Sequence, residues 1–267
     1  MRKYNFSFGG VWLSSLGGQM EKSPDIEIAK KDIKIIDIPG KDGSEIIDNG
    51  RYSNVEMSRS IAFVSKNNFT AADKSEAAVD KFAYLQGYQD FEDTDHPGMI
   101  TKAVLLNFDT VVKNLRRLRT AELVFSRYPY WYDKKSLTQE QLFENTTGNV
   151  DIVNPYPATY KPTLLFYFTA PSETFITATA KIYINTTING KSNLFTIDLS
   201  IKVNNEFNIC RLDFDKQNAT IENEHGIINS LVDIALPKEI GQNRTVYTLS
   251  TNTNLLHIDI IPKWRCL

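Results

Sequence analysis

Along most of the chain, apolar and polar residues alternate with a period of two, which marks half-buried β-strands, and clusters of Gly, Pro, Asn and Asp separate the runs. Tyr4-Asn5-Phe6-Ser7-Phe8 alternates before Gly9 and Gly10. Ile26, Ile28, Ile33, Ile35, Ile36 and Ile38 lead into Pro39-Gly40-Lys41-Asp42-Gly43, a turn cluster whose glycines permit positive φ. Residues 26–49 therefore read as a long hairpin arm. One segment departs from the rule. Between Thr70 and Gln86, Thr70 and Asp73 form a capping-box pattern, Val79, Phe82 and Leu85 follow helical spacing, and Gly87 supplies the stop. One amphipathic helix is predicted there. Strands follow at 100–108, 110–112 and 121–125, and the aromatic run Tyr128-Pro129-Tyr130-Trp131-Tyr132 closes a first domain.

Residues 133–149 are polar, with Lys134, Lys135, two Gln and two Glu, a composition suited to a linker. Beyond it, short strands are predicted at 164–168, 174–184, 194–203, 207–214, 219–222, 231–236, 245–249 and 255–261. Turns such as Ile188-Asn189-Gly190-Lys191 separate them, and this spacing predicts an antiparallel sandwich. The expected fold class is mainly β. The expected division is a first domain over 1–134, with one helix and the arm, a linker over 135–149, and an all-β domain over 150–267.

At 267 residues and 42% hydrophobic content, the chain can bury two cores. Thirty Lys and Arg against 32 Asp and Glu leave a formal net charge of -2, so no overall charge draws it to nucleic acid or anionic lipid. No apolar run approaches the length that spans a bilayer, and the first residues alternate instead of forming a signal peptide. A soluble protein without a membrane anchor, made in a cytoplasm, is expected. Cys210 and Cys266 match no zinc or redox spacing, so thiols are expected.

Candidate chemistry is sparse. His96, His225 and His257 share no metal-ligand spacing and lie in no nucleophile motif. The acidic stretch 90–96 reads as a solvated loop. Asp213, Asp215, Gln217 and Glu224 fall on calcium-loop places, but Asn218 stands where that loop needs glycine, so a hairpin turn is expected. The basic cluster Lys113, Arg116, Arg117 and Arg119 lacks interleaved aromatics and reads as a protein contact or solvated edge. No catalytic residue, metal site or cofactor is predicted. Aromatic content of 11%, together with an arm that has little core of its own, points instead to burial against another subunit. The interface candidates are Phe6, Phe8, Ile33, Ile35, Ile38, Pro39, Gly40, Gly43, Tyr130 and Trp131.

Taken in order, these motifs resemble the distal tail proteins of phages with long non-contractile tails. The resemblance rests on the aromatic-glycine start at residues 4–10, the arm turn at 38–43 and Asp95-His96-Pro97-Gly98-Met99 before a strand. It rests also on the aromatic close Leu123-Val124-Phe125-Ser126-Arg127-Tyr128-Pro129-Tyr130-Trp131, on Asn154-Pro155 with Lys161-Pro162, and on Ile260-Ile261-Pro262-Lys263-Trp264-Arg265 near the end. It is dense over the first 135 residues or so and thin in the second domain.

The resemblance implies a homo-hexameric ring at the phage tail tip, within the virion, with the arm as a belt on the adjacent subunit. It also implies a galectin-like second domain pointing outward. One ring face would meet the major tail protein of the tube and the other the tail-associated hub or lysin protein. Receptor-binding proteins would attach to the outer domains, and DNA would pass through the channel without specific binding. A competing reading is a carbohydrate-binding adhesion module that contacts the host cell wall directly. A hydrolase built from dispersed acidic residues ranks last.

Overall fold

In the computed structural model, the described residues are 4–64, 70–108, 112–115, 118–144 and 147–267. Apart from its last residue, the chain divides into two compact units between Trp131 and Tyr132. The architecture is mainly β, as the periodicity predicts, with a single α-helix among the described residues.

The first unit is built on an antiparallel sheet. Its strands run in the order Val11–Trp12, Phe6–Phe8, Gln89–Asp93, Met99–Phe108, Leu118–Arg127, Val55–Val64 and Gly18–Met20. Alternation along Val55–Val64 and Leu118–Arg127 points Met57, Ile61, Ala121, Leu123 and Phe125 inward. The helix Thr70–Phe82 packs against these two strands through Ala71, Ser75, Ala78 and Phe82, a stripe at steps of four, three and four residues. Phe82 completes an aromatic cluster. Phe6 stacks on Phe91 at 5.6 Å between centroids, while Phe8 and Phe91 meet Phe125 edge-on at 5.1 and 5.4 Å.

The helix stops at Phe82, four residues before the predicted end. Leu85 leaves the helical path and lies over Gly9. There a Cβ would sit 2.5 Å from the Leu85 side chain, and φ is +59°, so glycine is required on both counts.

The second unit is the predicted antiparallel sandwich. One sheet has the order Glu140–Glu144, Leu255–Ile261, Thr163–Phe168, Ile209–Asp213, Asn218–Glu222, Ile228–Leu231. The other has Gly148–Val153, Gln242–Thr253, Ile176–Ile188, Lys191–Val203. Asn189 and Gly190, at φ 50° and 75°, close the hairpin between the last two strands as a two-residue turn, in the register expected from the sequence. Inward residues of both sheets, among them Phe166, Phe168, Ile182, Ile184, Leu199, Leu212 and Ile258, form one core. Within it the Tyr160 and Tyr247 hydroxyls meet at 3.2 Å.

Two expectations are corrected. The segment 135–149 is not a linker: it holds the edge strand Glu140–Glu144 and the first two residues of the edge strand Gly148–Val153, one strand in each sheet of the sandwich. Leu142 and Phe143 are buried there across a bulge, while Glu140, Gln141 and Glu144 face solvent and give the strand its polar reading. The strand predicted at 231–236 lies earlier, at Ile228–Leu231.

Candidate functional site

The feature most suited to recognition is the arm. Strands Lys31–Asp37 and Ser44–Tyr52 form a two-stranded sheet of their own, joined through the Pro39-Gly40 turn. Gly40 and Gly43 have φ of 81° and 80°, and the Lys41 N–H donates to the Ile38 carbonyl at 3.1 Å. Ile35 faces Ile46 and Lys34 faces Ile47, which places Ile33, Ile35 and Ile46 on one face and Ile36 and Ile47 on the other. Ile35 and Ile46 are 61% and 65% exposed, and Ile26 and Ile28 before them 91% and 75%.

Charged pairs line the same hairpin. Arg51 reaches Asp32 at 2.5 Å and Lys41 pairs with Glu45 at the tip. Hydrogen bonds from Arg51 and then Asn49 hold the Asp32 carboxyl below its ordinary value. A hairpin of this size is marginal in water by itself, and its isoleucines gain from being covered.

The root of the arm is fastened to the first unit. Ala29 is buried, the Ser53 N–H donates to the Lys30 carbonyl at 2.8 Å, and Tyr52 packs edge-on against Tyr130 at 5.8 Å. The buried Arg59 guanidinium donates to the Glu27 carboxylate at 2.6 Å. Arg127 donates to the Glu27 carbonyl at 3.1 Å and lies over the Trp131 ring at 5.3 Å from its centroid. His96 stacks on Trp131 at 4.2 Å, and its Nδ1 is 2.8 Å from Asp93. A cavity of about 550 Å³ opens among Glu27, Arg59, Asp93, His96, Arg127 and Trp131.

Burial opposes ionisation of Asp93. The hydrogen bond and charge of His96, joined by the His96 N–H and the Tyr4 hydroxyl, outweigh burial and hold its carboxyl below the usual range. Burial likewise disfavours the Arg59 cation, but Glu27, followed by Tyr4, raises it above its ordinary value.

No family model matches the chain, and no curated protein matches it in sequence. Among solved structures, the SPP1 Dit (gp 19.1) protein is described as a paradigm of the hub adsorption apparatus in Gram-positive infecting phages. It matches over 100% of both chains with a TM-score of 0.67 at 10% sequence identity. The two proteins share a fold. Two structures of the phage P2 baseplate in its activated conformation, with Ca and with Sr, match over 97% of each chain at 9% identity, with TM-scores of 0.48 and 0.45.

Within this Dit-like fold the ten interface candidates divide. Ile33, Ile35, Ile38, Pro39, Gly40 and Gly43 are exposed along the arm, and Tyr130 is half-buried at its root. Phe6 and Phe8 are corrected to core residues. Their strand is paired on both sides and their rings lie within the Phe82, Phe91 and Phe125 cluster, leaving both fully buried. Trp131 is also buried, at 2% exposure, between Arg127 and His96, so the aromatic run is less exposed than its composition implies.

Ile46, Ile47 and Glu27 lie within the predicted arm but are not singled out by the sequence, and Arg59 and Arg127 lie outside it. The arginines carried a signal: Arg59 stands between Met57 and Ile61, and Arg127 follows Leu123 and Phe125, at inward parity.

The remaining motifs are structural. Asp213 accepts from the backbone N–H groups of Asp215 and Lys216, forming the expected hairpin turn, with Lys263 at 3.4 Å. In the acidic stretch, Asp93 is buried and caps its own loop by accepting from the backbone N–H groups of Asp95 and His96. Arg116 and Arg117 of the basic cluster lie outside the described residues. Cys210 and Cys266 form no disulfide, and burial pushes the Cys210 thiol up to about 12. No helix among the described residues is long and apolar enough to cross a membrane.

Proposed function

We propose that this chain is a structural component of a phage tail tip, a distal tail protein whose copies close into a hexameric ring between the tail tube and the hub. The observation that carries the reading is the arm, an isoleucine-bearing hairpin with exposed apolar side chains on a fixed root, in a chain that shares its fold along its full length with a Dit protein. In the ring, the arm covers its isoleucines on the neighbouring copy. An arm that docks on a different surface of the next copy makes a head-to-tail contact, and such contacts generate rings when the rotation closes. The first unit forms the ring, facing the major tail protein of the tube on one side and the tail-associated hub or lysin protein on the other. The sandwich serves as the attachment point for host-recognition proteins. This role needs no catalytic group.

Removing residues 32–50 tests the reading on the otherwise intact chain. The expected result is a species that light scattering and electron microscopy show as monomeric and unable to assemble on tail tubes. An unchanged ring would overturn the arm's role. Saccharide affinity in a glycan array from a chain that never assembles would favour the adhesion-module reading instead.

A further inference from the structure

The arm leaves the first unit from a segment, residues 21–30, that belongs to no strand, and what retains this segment is unusual. Its isoleucines do not, because Ile26 and Ile28 project outward. The hold comes from Ala29, from backbone bonds between the Glu21 N–H and the Ser60 carbonyl at 3.0 Å and between the Ser53 N–H and the Lys30 carbonyl at 2.8 Å, and from the two inward arginines. Arg59 is 2% exposed, and one of its terminal nitrogens donates to Glu27 Oε1 at 2.6 Å and to the Ser58 carbonyl at 2.9 Å. Its other terminal nitrogen is 3.4 Å from Glu27 Oε2, while its Nε has no hydrogen-bond partner. Glu27 is therefore the carboxylate that compensates a buried cation, and without it the guanidinium keeps only the Ser58 carbonyl, the Met57 sulfur and Tyr4, so much of the cost of lost hydration goes uncompensated.

The pair lies beside the cavity, and Glu27 retains 22% side-chain exposure, so solvent reaches it without opening the Phe6, Phe8, Phe91 and Phe125 cluster.

We propose that Glu27 is a latch: its carboxylate on Arg59 fixes the root of the arm and so sets the direction in which the isoleucine hairpin is presented to a second copy. Glu27 is on this account a positioning residue for the contact proposed above, on which the inference rests. The latch acts at the root and the isoleucines act at the docking surface, so each can fail without the other.

Amide hydrogen exchange on the full chain separates the two. It is read in a background carrying Ile33→Thr, Ile35→Thr and Ile46→Thr, where docking does not mask the root. In Glu27→Gln, the Glu21 and Ser53 amides are expected to exchange faster by roughly tenfold or more, the scale of losing a hydrogen bond to a charged group. Exchange along strand Leu118–Arg127 should stay unchanged. The double change Glu27→Leu with Arg59→Met replaces the ion pair by apolar contact and is expected to restore root protection and, with the isoleucines present, assembly. Unchanged root exchange in Glu27→Gln would overturn the latch. So would loss of protection throughout the first unit, because Glu27 would then be a general stability element. Failure of the wild-type chain to assemble, with the root behaving as described, would count against the interface reading alone.

Discussion

The arm's isoleucines should be worth several kcal/mol to association and almost nothing to the isolated chain. Ile33, Ile35 and Ile46 share one face and are 44%, 61% and 65% exposed, together the uncovered equivalent of about 1.7 isoleucine side chains. Full burial of one such side chain contributes roughly 1.5–3 kcal/mol. Threonine keeps the β-branched shape that suits a strand and one methyl group, so the triple change Ile33→Thr, Ile35→Thr and Ile46→Thr removes most of this. The expected loss is about 2–4 kcal/mol per arm contact, or roughly 30- to 700-fold in its dissociation constant. The translational and rotational cost of association is common to both proteins and cancels in the difference. Sedimentation velocity over a concentration series reads the shift, and thermal unfolding of the dilute chain should change little, since surface substitutions are usually within about 0.5 kcal/mol. Equal assembly by both proteins would mean that these isoleucines do not make the contact, and a large drop in monomer stability would mean that they belong to the chain's own core.

Three further outcomes follow from the cores. In Gly241→Ala a new Cβ would lie 1.9 Å from the Thr187 carbonyl oxygen and disturb the bond from the Gly241 N–H to Thr186 Oγ1; a loss of about 2–4 kcal/mol is expected in urea unfolding of the sandwich. Asp93 has a carboxyl held below its unfolded value of about 3.9, so its stabilisation is present above that pH and fades as pH falls through the lower folded value. Asp93→Asn should therefore flatten the acid limb of first-unit stability; an acid limb as steep as in the wild type would count against this. Cys210, pushed up to about 12 and buried, should resist a thiol-modifying disulfide at pH 8 until the chain unfolds, whereas the half-buried Cys266 reacts first.

Local pattern carried much of this architecture. The Asn189-Gly190 turn and the arm turn at Pro39-Gly40 are short-range signals and stand where the sequence puts them, and the strand predicted at 174–184 is found at Ile176–Ile188. What period-two patterning omits is which neighbours a strand acquires. Phe6 and Phe8 alternate like any half-exposed strand, but pairing on both sides and the covering helix bury them, and with Ser7 also buried no solvent face remains. Leu142 and Phe143 sit among polar residues because an edge strand with a bulge exposes most of its positions. Two adjacent isoleucines, Ile46 and Ile47, fall on opposite faces of the arm by alternation alone, but which of them joins Ile33 and Ile35 becomes visible only with the register. Arg59 and Arg127 could have been read as inward from parity, but their partner Glu27 lies 32 and 100 residues away, in a segment whose Ile26-Glu27-Ile28 alternation reads as a strand and forms none.

Negative-stain imaging of the purified chain, alone and with isolated tail tubes, shows whether its copies close into a ring. Six-membered rings are expected, free or capping the tube ends, and they should disappear when the arm isoleucines are replaced. A strictly monomeric species at high concentration that also leaves the tube ends bare would contradict ring closure.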